Sequence, residues 1–361
     1  MMQLLKIRYP IIQAPMAGGA TTTALVAAVS NAGGLGSIAG AYLAPETLRT
    51  EIKKVRQISD QPFSVNLFVP EPIKKNDTKL RNMMDFLNAY CRHIGYPAIE
   101  PPQNIDYEKI FQEKINILLE EKVPAVSFTF GIPSSNIIQT LKANNIIIFG
   151  TATTVNEGIL LAQAGCDIIV AQGSEAGGHR GTFQGAHNAA LIGTMALIPQ
   201  MVDSLDIPVI AAGGIMDARG LVAALSLGAA GVQMGTAFLT CTESGIHPAY
   251  KKAILNSTEE STVLTSSFSG KPARGIHNKF IHDLAQYEHE NNIPDFPLQN
   301  ELTKQIRAAA AQHNDINYMS LWAGQGTRLN KSMPAEQLIQ NLVKDVCGIL
   351  QKNTKLVDLL L

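Results

Sequence analysis

The sequence predicts a single (β/α)8 TIM barrel, an α/β fold, and three observations lead to this expectation. Short apolar runs rich in β-branched residues alternate with amphipathic helical segments, which is the pattern of parallel βαβ units. A helix, a glycine turn and a buried strand follow one another clearly at residues 26–40, 157–173 and 220–235. Eight strand candidates can be counted in the sequence, whereas a doubly wound sheet usually has about five or six strands.

The individual elements follow from this alternation. The expected strands are continuous apolar runs, as in strands buried on both faces, and they lie at 11–14, 35–38, 63–68, 125–128, 146–150, 168–172, 209–212 and 231–234. The expected helices lie in the gaps, at 22–31, 45–58, 107–121, 134–144, 154–164, 190–204 and 217–227.

Two segments fall outside the pattern. Residues 69–106, after the third strand, are too long for an ordinary strand-to-helix loop, and we expect a lid or an oligomer contact there. Residues 243–361 become more charged and helical, and we expect a helical extension packed on the barrel of residues 1–242. The chain is expected to act alone or as a homodimer.

The composition of the chain excludes several classes of binding partner. The 29 basic and 30 acidic residues give a net charge of −1, so binding to nucleic acid or to an anionic membrane is not expected. No apolar run has the length of a signal-peptide core or a membrane helix. The four cysteines form no CxxC pair, and neither HExxH nor GxSxG occurs, so we expect a cytoplasmic protein without a metal or a hydrolase nucleophile.

In a barrel, the functional residues project from the carboxyl ends of the strands. Gly213 and Gly214 follow the seventh strand, and Asp217 is placed to cap the next helix. Gly235 and Thr236 follow the eighth strand. Glycine lets backbone N–H groups approach an anion closely, so these two turns predict a phosphate site, with tight turns that bind nothing as the alternative.

The loop after the sixth strand, residues 172–181, contains four glycines followed by two side chains that carry or accept charge. Its backbone can lie against a flat ligand, with His179 and Arg180 presented over the barrel mouth. His179 is the candidate for contact with an acidic or anionic substrate. Arg180 could equally pair with Glu175 and brace the loop.

Buried amides at strand ends suggest the shape of the ligand. Asn66 lies near the end of the third strand and Gln172 ends the sixth. The pyrimidine edge of a flavin, with alternating carbonyl and N–H groups, would satisfy both the donor and the acceptor of such an amide. The alternative is that neighbouring backbone satisfies each amide. Residues 13–19 could cover the flavin ring, although Met16 could simply be a packing residue.

With these residues in view, the chain resembles the nitronate monooxygenases, formerly called 2-nitropropane dioxygenases, and specifically their bacterial class I branch. The resemblance runs from about residue 10 to 239 and resumes in the tail. It is carried by QAPMAGG, AGGLGSIAG, NLFVP, SFTFGIP, EAGGHRG, AAGGI, QMGTAF and LWAGQG, which begin at residues 13, 32, 66, 127, 175, 211, 233 and 321.

The resemblance implies FMN as a non-covalent cofactor, oxidation of an alkyl nitronate such as propionate 3-nitronate by O₂, and His179 as the active-site histidine. The flavin would carry the redox chemistry, and the protein would supply placement and electrostatics. Together with the residues singled out above, the expected FMN-binding set is Ala14, Pro15, Met16, Asn66, Gln172, Gly177, Gly178, Gly213, Gly214, Gln233, Met234, Gly235 and Thr236.

Three alternatives stay open. Flavin-dependent enoyl-acyl-carrier-protein reductases share the AGGH loop and both glycine turns, and they would use NAD(P)H. A barrel that binds a phosphorylated metabolite without flavin would also need the glycine turns, but it would leave Asn66 and Gln172 unexplained. Flavin carriage without turnover is the third, supported only by the lack of an obvious general base.

Overall fold

The structure is a computed structural model that describes the backbone of residues 1–73 and 76–360, with side chains described through residue 352. Its strands are β1 Ile11–Gln13, β2 Gly36–Ala39, β3 Phe63–Phe68, β4 Ala125–Thr129, β5 Ile147–Ala152, β6 Ile168–Gln172, β7 Gly178–His179, β8 Val209–Ala212, β9 Gly231–Met234, β10 Thr262–Thr265 and β11 Ala273–Ile276.

The α-helices are α1 Met2–Leu5, α2 Thr23–Asn31, α3 Pro45–Ile58, α4 Asp77–Ile94, α5 Tyr107–Glu120, α6 Ser135–Ala143, α7 Val155–Ala164, α8 Thr194–Ser204, α9 Ala218–Ser226, α10 Thr236–Leu239, α11 Pro248–Leu255, α12 Lys279–His289, α13 Leu298–Leu302, α14 Lys304–Gln312 and α15 Ala335–Leu360. Short 3₁₀ turns lie at His187–Ala190, Glu259–Ser261 and Thr327–Leu329. Within the described residues, no helix has the length and apolar character needed to span a membrane.

The predicted barrel is confirmed. Strands β1 to β6, β8 and β9 form a parallel sheet in the order β1-β9-β8-β6-β5-β4-β3-β2. A parallel bridge between Ile12 and Leu35 brings β1 beside β2, and the Leu35 carbonyl accepts a hydrogen bond from the Gln13 N–H at 2.9 Å. The carboxyl ends of these strands therefore meet at one rim of the barrel, where their following loops can build a common site.

The eight predicted strands match the observed ones to within one or two residues, and the predicted helices match except at one end. Helix α8 begins at Thr194, not at residue 190. Its first turn is fixed by Glu175, whose carboxylate accepts hydrogen bonds from the Thr194 N–H at 2.9 Å and from the Thr194 hydroxyl at 2.8 Å. The helix start is thus set by a contact with the loop after β6, which local sequence does not reveal.

The last helix belongs to the barrel wall. Helix α15 packs against α2 and α9, and its Ala335, Ile339 and Leu342 are buried in the same hydrophobic core as the barrel strands. The wall beside β1 and β9 is therefore completed by the far end of the chain. The division of the chain at residue 242 stays a prediction.

Residues 243–334 form a cap over the strand ends. The cap is not purely helical, because β10 pairs with β11 and β11 pairs with β7 in a small antiparallel sheet, with Ala273 opposite His179. A second hydrophobic core joins α4 of the insertion, through Met83 and Leu87, to cap residues such as Phe280 and Leu302. The insertion thus packs against the cap, while its role as a lid or an oligomer contact stays a prediction.

Candidate active site

A cavity of about 560 Å³ lies between the carboxyl ends of the barrel strands and the cap. Almost all the residues singled out from the sequence line it, although they come from five separate loops. Those residues are Ala14, Pro15, Met16, Asn66, Gln172, Gly177, Gly178, His179, Gly213, Gly214, Gln233, Gly235 and Thr236. The parallel barrel brings them together because each follows, or ends, a strand at the same rim.

Met234 is the exception. Its side chain is 1 % exposed and packs in the hydrophobic core of the barrel, and it does not line the cavity. Successive side chains of a strand point to opposite faces, so Gln233 faces the cavity and Met234 faces away from it. The main chain of Met234 still supports the site, because its carbonyl accepts a hydrogen bond from the Ala14 N–H at 2.9 Å.

The two glycine turns have the backbone that an anion cradle needs. Gly213 and Gly214 have φ values of 113° and 71°, which L-residues rarely adopt. A Cβ on Gly213 would lie 3.1 Å from the Ala176 nitrogen, whereas one on Gly235 would meet only Ala14 and Met16, at 3.5 Å and beyond. Asp217 caps α9 as expected, accepting from the Arg219 N–H at 2.9 Å. These turns fit a phosphate-bearing ligand.

The two side-chain amides at strand ends, Asn66 and Gln172, have different hydrogen-bond partners. The Asn66 Nδ2 donates to Ser127 and Thr129 at 2.9–3.2 Å, while Asn66 Oδ1 has no partner among the described residues. The Gln172 side chain is largely engaged by its own loop, because it donates to the His179 carbonyl at 3.0 Å and accepts from the Gly181 N–H at 2.8 Å. Asn66 therefore offers an acceptor to a ligand, whereas Gln172 mainly holds the loop in place.

Arg180 is not presented over the barrel mouth, contrary to the expectation. It is 1 % exposed, and its guanidinium donates to the carbonyls of Gly173, Gln172 and Ala190. Nor does it form the alternative ion pair, because the Glu175 carboxylate is bound to Thr194. Arg180 braces the loop from within, since the carbonyls of Gln172 and Ala190 would otherwise have no donor among the described residues.

His179 is held from one side only. Its Nε2 lies 2.9 Å from the Ser269 hydroxyl oxygen, and that hydroxyl donates to the Lys271 carbonyl at 3.0 Å. The tautomer that fits this bond carries its proton on Nε2, which then donates to Ser269, and leaves the other ring nitrogen, Nδ1, unprotonated. Nδ1 has no hydrogen-bond partner among the described residues, and it is left to face the cavity.

The surroundings of the imidazole are aromatic and electropositive. The rings of Phe68, Phe130, Phe296 and Trp322 lie 5.6–6.5 Å from it, centroid to centroid. Burial, together with the nearby charges of Lys271 and Arg307, lowers the pKa of His179 to about 3. The ring is therefore neutral at pH 7 while no anion lies beside it.

Several cavity residues come from the cap and were not assigned from the sequence. They include Tyr250, Asn300, Arg307, Trp322 and Gly324. The LWAGQG segment docks on the loop after β6 by main chain, with the Gln325 N–H donating to the Glu175 carbonyl at 3.0 Å. That motif was noticed as part of the resemblance and was the only available signal. Arg307 stands in no motif, so only the tertiary structure locates it.

The fold and the cavity define a (β/α)8-barrel enzyme whose site lies at the carboxyl ends of its strands. The chain belongs to the nitronate monooxygenase family, an oxidoreductase family, because the family's model matches residues 1–345. A probable nitronate monooxygenase of Staphylococcus saprophyticus is 50% identical over 351 residues, covering 97% of this chain and 98% of that protein. One from Staphylococcus aureus strain Newman is 49% identical over 350 residues, covering 97% of each. The resemblance inferred from the motifs is thus confirmed.

Solved structures agree with this assignment. The nitroalkane oxidase of Streptomyces ansochromogenes superposes with a TM-score of 0.90 at 36% identity, covering 97% of this chain and 99% of that one. FabK from Thermotoga maritima superposes with a TM-score of 0.78 at 31% identity, covering 98% and 97%. The first of these is the more similar in both sequence and structure.

Proposed function

We propose that this protein binds FMN in the cavity and oxidises alkyl nitronates, such as propionate 3-nitronate, with O₂. The observation that carries the proposal is the shared cavity, in which two glycine turns and the unpaired face of His179 open onto the same space. The choice of substrate class is supported by the probable nitronate monooxygenases, which are 49–50% identical to this chain over 97% of its length.

The chain's residues would hold FMN as follows. The backbone of Gly213, Gly214 and Gly235 would receive the phosphate, and the amino end of α9 adds a favourable dipole. Asn66 Oδ1 offers an acceptor to the ring's pyrimidine edge, and Gln233 offers both a donor and an acceptor. FMN supplies the redox chemistry when bound, and the remaining contributions are those of the protein.

His179 would hold and orient the substrate anion. A nitronate already lacks its α-proton, so no base is required to remove one. An anion placed beside a neutral imidazole raises the pKa of that imidazole, and a protonated His179 would donate from Nδ1 while Nε2 stays bound to Ser269. The aromatic rings around His179 exclude water and strengthen this interaction.

The enoyl-acyl-carrier-protein reductase is the alternative, and an anaerobic titration separates the two. We expect the purified protein to be yellow, its flavin absorbance to bleach on addition of propionate 3-nitronate, and NADH to have little effect. Rapid bleaching by NADH without a response to nitronate would move the assignment to the reductase. A colourless protein that fails to take up added FMN would reject both.

The role of His179 is tested in the same assay. His179→Asn with flavin retained should lower kcat/KM for the nitronate by about tenfold to a hundredfold, the effect of losing one charge-assisted hydrogen bond. His187→Asn is a matched control outside the cavity lining. Unchanged turnover in His179→Asn would remove this histidine from the reaction.

A further inference from the structure

A second, smaller cavity of about 90 Å³ lies beside the active-site cavity. The end of β3, the start of the insertion, α5 and the cap segment at residues 296–297 enclose it. Aliphatic and aromatic side chains such as Leu67, Val69 and Ile110 make up most of its lining. Tyr42 and Phe68 line both cavities, so the two spaces share a wall. The second cavity has room for a guest of a few atoms.

Three phenylalanine rings separate the second cavity from His179. Phe68, Phe130 and Phe296 line that cavity, and their ring centroids lie 5.8–6.5 Å from the centroid of the imidazole. The Phe68 and Phe130 rings are 4.4 Å apart, and Phe296 lies 5.8 Å from Phe130. Together the three rings form an aromatic partition. A guest in the second cavity is therefore one layer of rings away from the imidazole.

The central ring of the partition is held by an unusual backbone conformation. Phe130 has a φ of 73°, in the left-handed region where bulky side chains are rare. On the cap side, the Lys271 Nζ lies 4.2 Å from the centre of the same ring, and the Glu71 carboxylate binds that ammonium at 3.0 Å. Backbone strain of this kind persists where the surrounding structure imposes it, often at functional sites. Here it places an aromatic ring between the two cavities.

The charged side chains of the second cavity are bound to other protein groups. Lys114 is 4% exposed, and its Nζ donates to the carbonyls of Gly40 at 3.0 Å and Ala41 at 2.8 Å. Burial lowers the pKa of Lys114 to about 8, because little water can solvate the ammonium there. The Glu71 carboxylate accepts from Lys271. The surface left for a guest is therefore mainly apolar, which favours an uncharged, apolar molecule over an anion.

The proposed reaction needs such a molecule. O₂ is small and apolar, and with flavin and nitronate in the main cavity it needs a path that does not cross them. We propose that the second cavity binds O₂ and delivers it through the aromatic partition to the space beside His179. This inference rests on the proposed function and adds to it the site of the second substrate. Rotamer motion of the partition rings would let a diatomic molecule pass, whereas flavin and nitronate are too large to follow.

Xenon is the structural probe of this site, because it binds in apolar cavities and is located by its electron density. In crystals of the flavin-loaded protein under xenon pressure, we expect a xenon atom in the second cavity. Ile110→Trp places an indole in this cavity from α5 and should abolish the xenon site. Glu113→Trp adds the same side chain on the exposed side of α5 and should keep the site. A wild-type crystal without xenon in this cavity would overturn the proposal.

The kinetic test varies O₂ and nitronate separately. In Ile110→Trp, kcat/KM for O₂ should fall about threefold to tenfold, whereas anaerobic flavin bleaching by propionate 3-nitronate should stay within about twofold of the wild-type rate. Glu113→Trp should match the wild type in both measurements. Ile110→Phe makes a smaller change and replaces Ile110→Trp if the larger residue prevents folding. An unchanged kcat/KM for O₂ in a variant that has lost the xenon site would contradict delivery through this cavity.

A longer nitronate distinguishes O₂ from an apolar substrate tail as the occupant. We expect KM for hexyl 1-nitronate to be the same in Ile110→Trp as in the wild type. If this KM rises while kcat/KM for O₂ stays unchanged, the second cavity holds the substrate tail and the proposal falls.

The two proposals can fail separately. If the wild-type protein oxidises no nitronate, the proposed function fails and the delivery of O₂ fails with it, while xenon in the second cavity would still show an apolar binding site. If nitronates are oxidised but the second cavity takes up no xenon, the function stands and this inference falls.

Discussion

The cavity has two halves that are built in different ways. The barrel half presents backbone and amides from five loops, and its glycine turns contribute N–H groups without side chains. The cap half presents side chains, among them Arg307 and Trp322, and the buried Ser269 of the cap fixes the imidazole. The difference teaches that the two halves would recognise a ligand differently. The barrel half would hold a phosphate and a ring through the positions of backbone groups, whereas the cap half would contact the rest of the ligand through side chains.

The largest effect should come from the brace beneath the barrel half. Arg180→Met leaves the buried carbonyls of Gln172 and Ala190 without a donor and takes one of two donors from the Gly173 carbonyl, so we expect a loss of about 3–5 kcal/mol in the free energy of unfolding. Arg219→Met is the matched control, because that arginine is exposed and pairs only with Asp217, and its loss should be below about 1 kcal/mol. Urea denaturation of both variants measures the difference. Similar losses would show that Arg180 is not a brace.

The junction between the halves is tested by adjacent glycines. A Cβ on Gly177 would lie 2.5 Å from the backbone of Ala323 and Gly324, so Gly177→Ala should force the cap away at about 1–3 kcal/mol. Gly178→Ala meets no atom within 4 Å and carries only the strain of a φ of 74°, about 1 kcal/mol. Thermal unfolding and flavin retention compare them. A greater loss in Gly178→Ala would mean that the cap does not dock through Gly177.

The pH dependence of stability tests the histidine between the halves. The folded pKa of His179, about 3, lies below its ordinary 6.5, so the unfolded chain binds the extra proton between these values. Stability is then fully present above pH 6.5 and is lost as the pH falls toward 3, by about 1–2 kcal/mol at pH 5. His179→Asn should lose less on acidification from pH 7 to pH 5 than the wild type, at equal flavin loading. If the stability of both proteins falls equally with pH, the imidazole of His179 lies in a more polar environment than the structure shows.

The smallest effect should come from the glycine turns. Gly213→Ala places a side chain at a φ of 113°, 3.1 Å from the Ala176 nitrogen, and should displace the turn enough to weaken FMN binding about tenfold. Gly185→Ala also has a positive φ, of 78°, but lies outside the cavity lining with open space around it. Fluorescence titration of the flavin-free proteins with FMN gives both affinities. Equal affinities would separate Gly213 from the cofactor.

The barrel half was predictable because its information is local. Each of these strands ends in a motif of a few residues. Because the carboxyl ends of the strands in a parallel barrel lie at one rim, the sequence alone predicted that Asn66, His179, Gly214 and Gly235 lie close together. Met234 was included because a motif was carried over as a block, although alternate residues of a strand face opposite ways and its side chain lies in the barrel core. Its part in FMN binding stays a prediction. The prediction for Arg180 was wrong because a charged side chain next to a loop histidine is expected to be exposed. Only the structure reveals the backbone carbonyls that bind its guanidinium.

The cap half was not predictable for the opposite reason. Ser269 and Arg307 lie in segments with ordinary turn or helical composition, and Trp322 lies in the LWAGQG motif, whose place in the fold the local sequence does not give. Arg307 and Trp322 reach the cavity, and Ser269 reaches the imidazole, only because β11 pairs with β7 and α14 packs over the strand ends. The antiparallel pairing of residues 178–179 depends on the register with 273–274, which no local pattern specifies. The chain's final helix likewise joins α2 and α9 through a long-range contact.

A crystal structure of the flavin-bound protein tests the central claim most directly. We expect the FMN phosphate to accept hydrogen bonds from backbone N–H groups of both glycine turns, at Gly213–Gly214 and at Gly235, with Nδ1 of His179 facing the ring across the substrate space. A phosphate bound away from these turns, or an imidazole turned out of the cavity, would contradict the account.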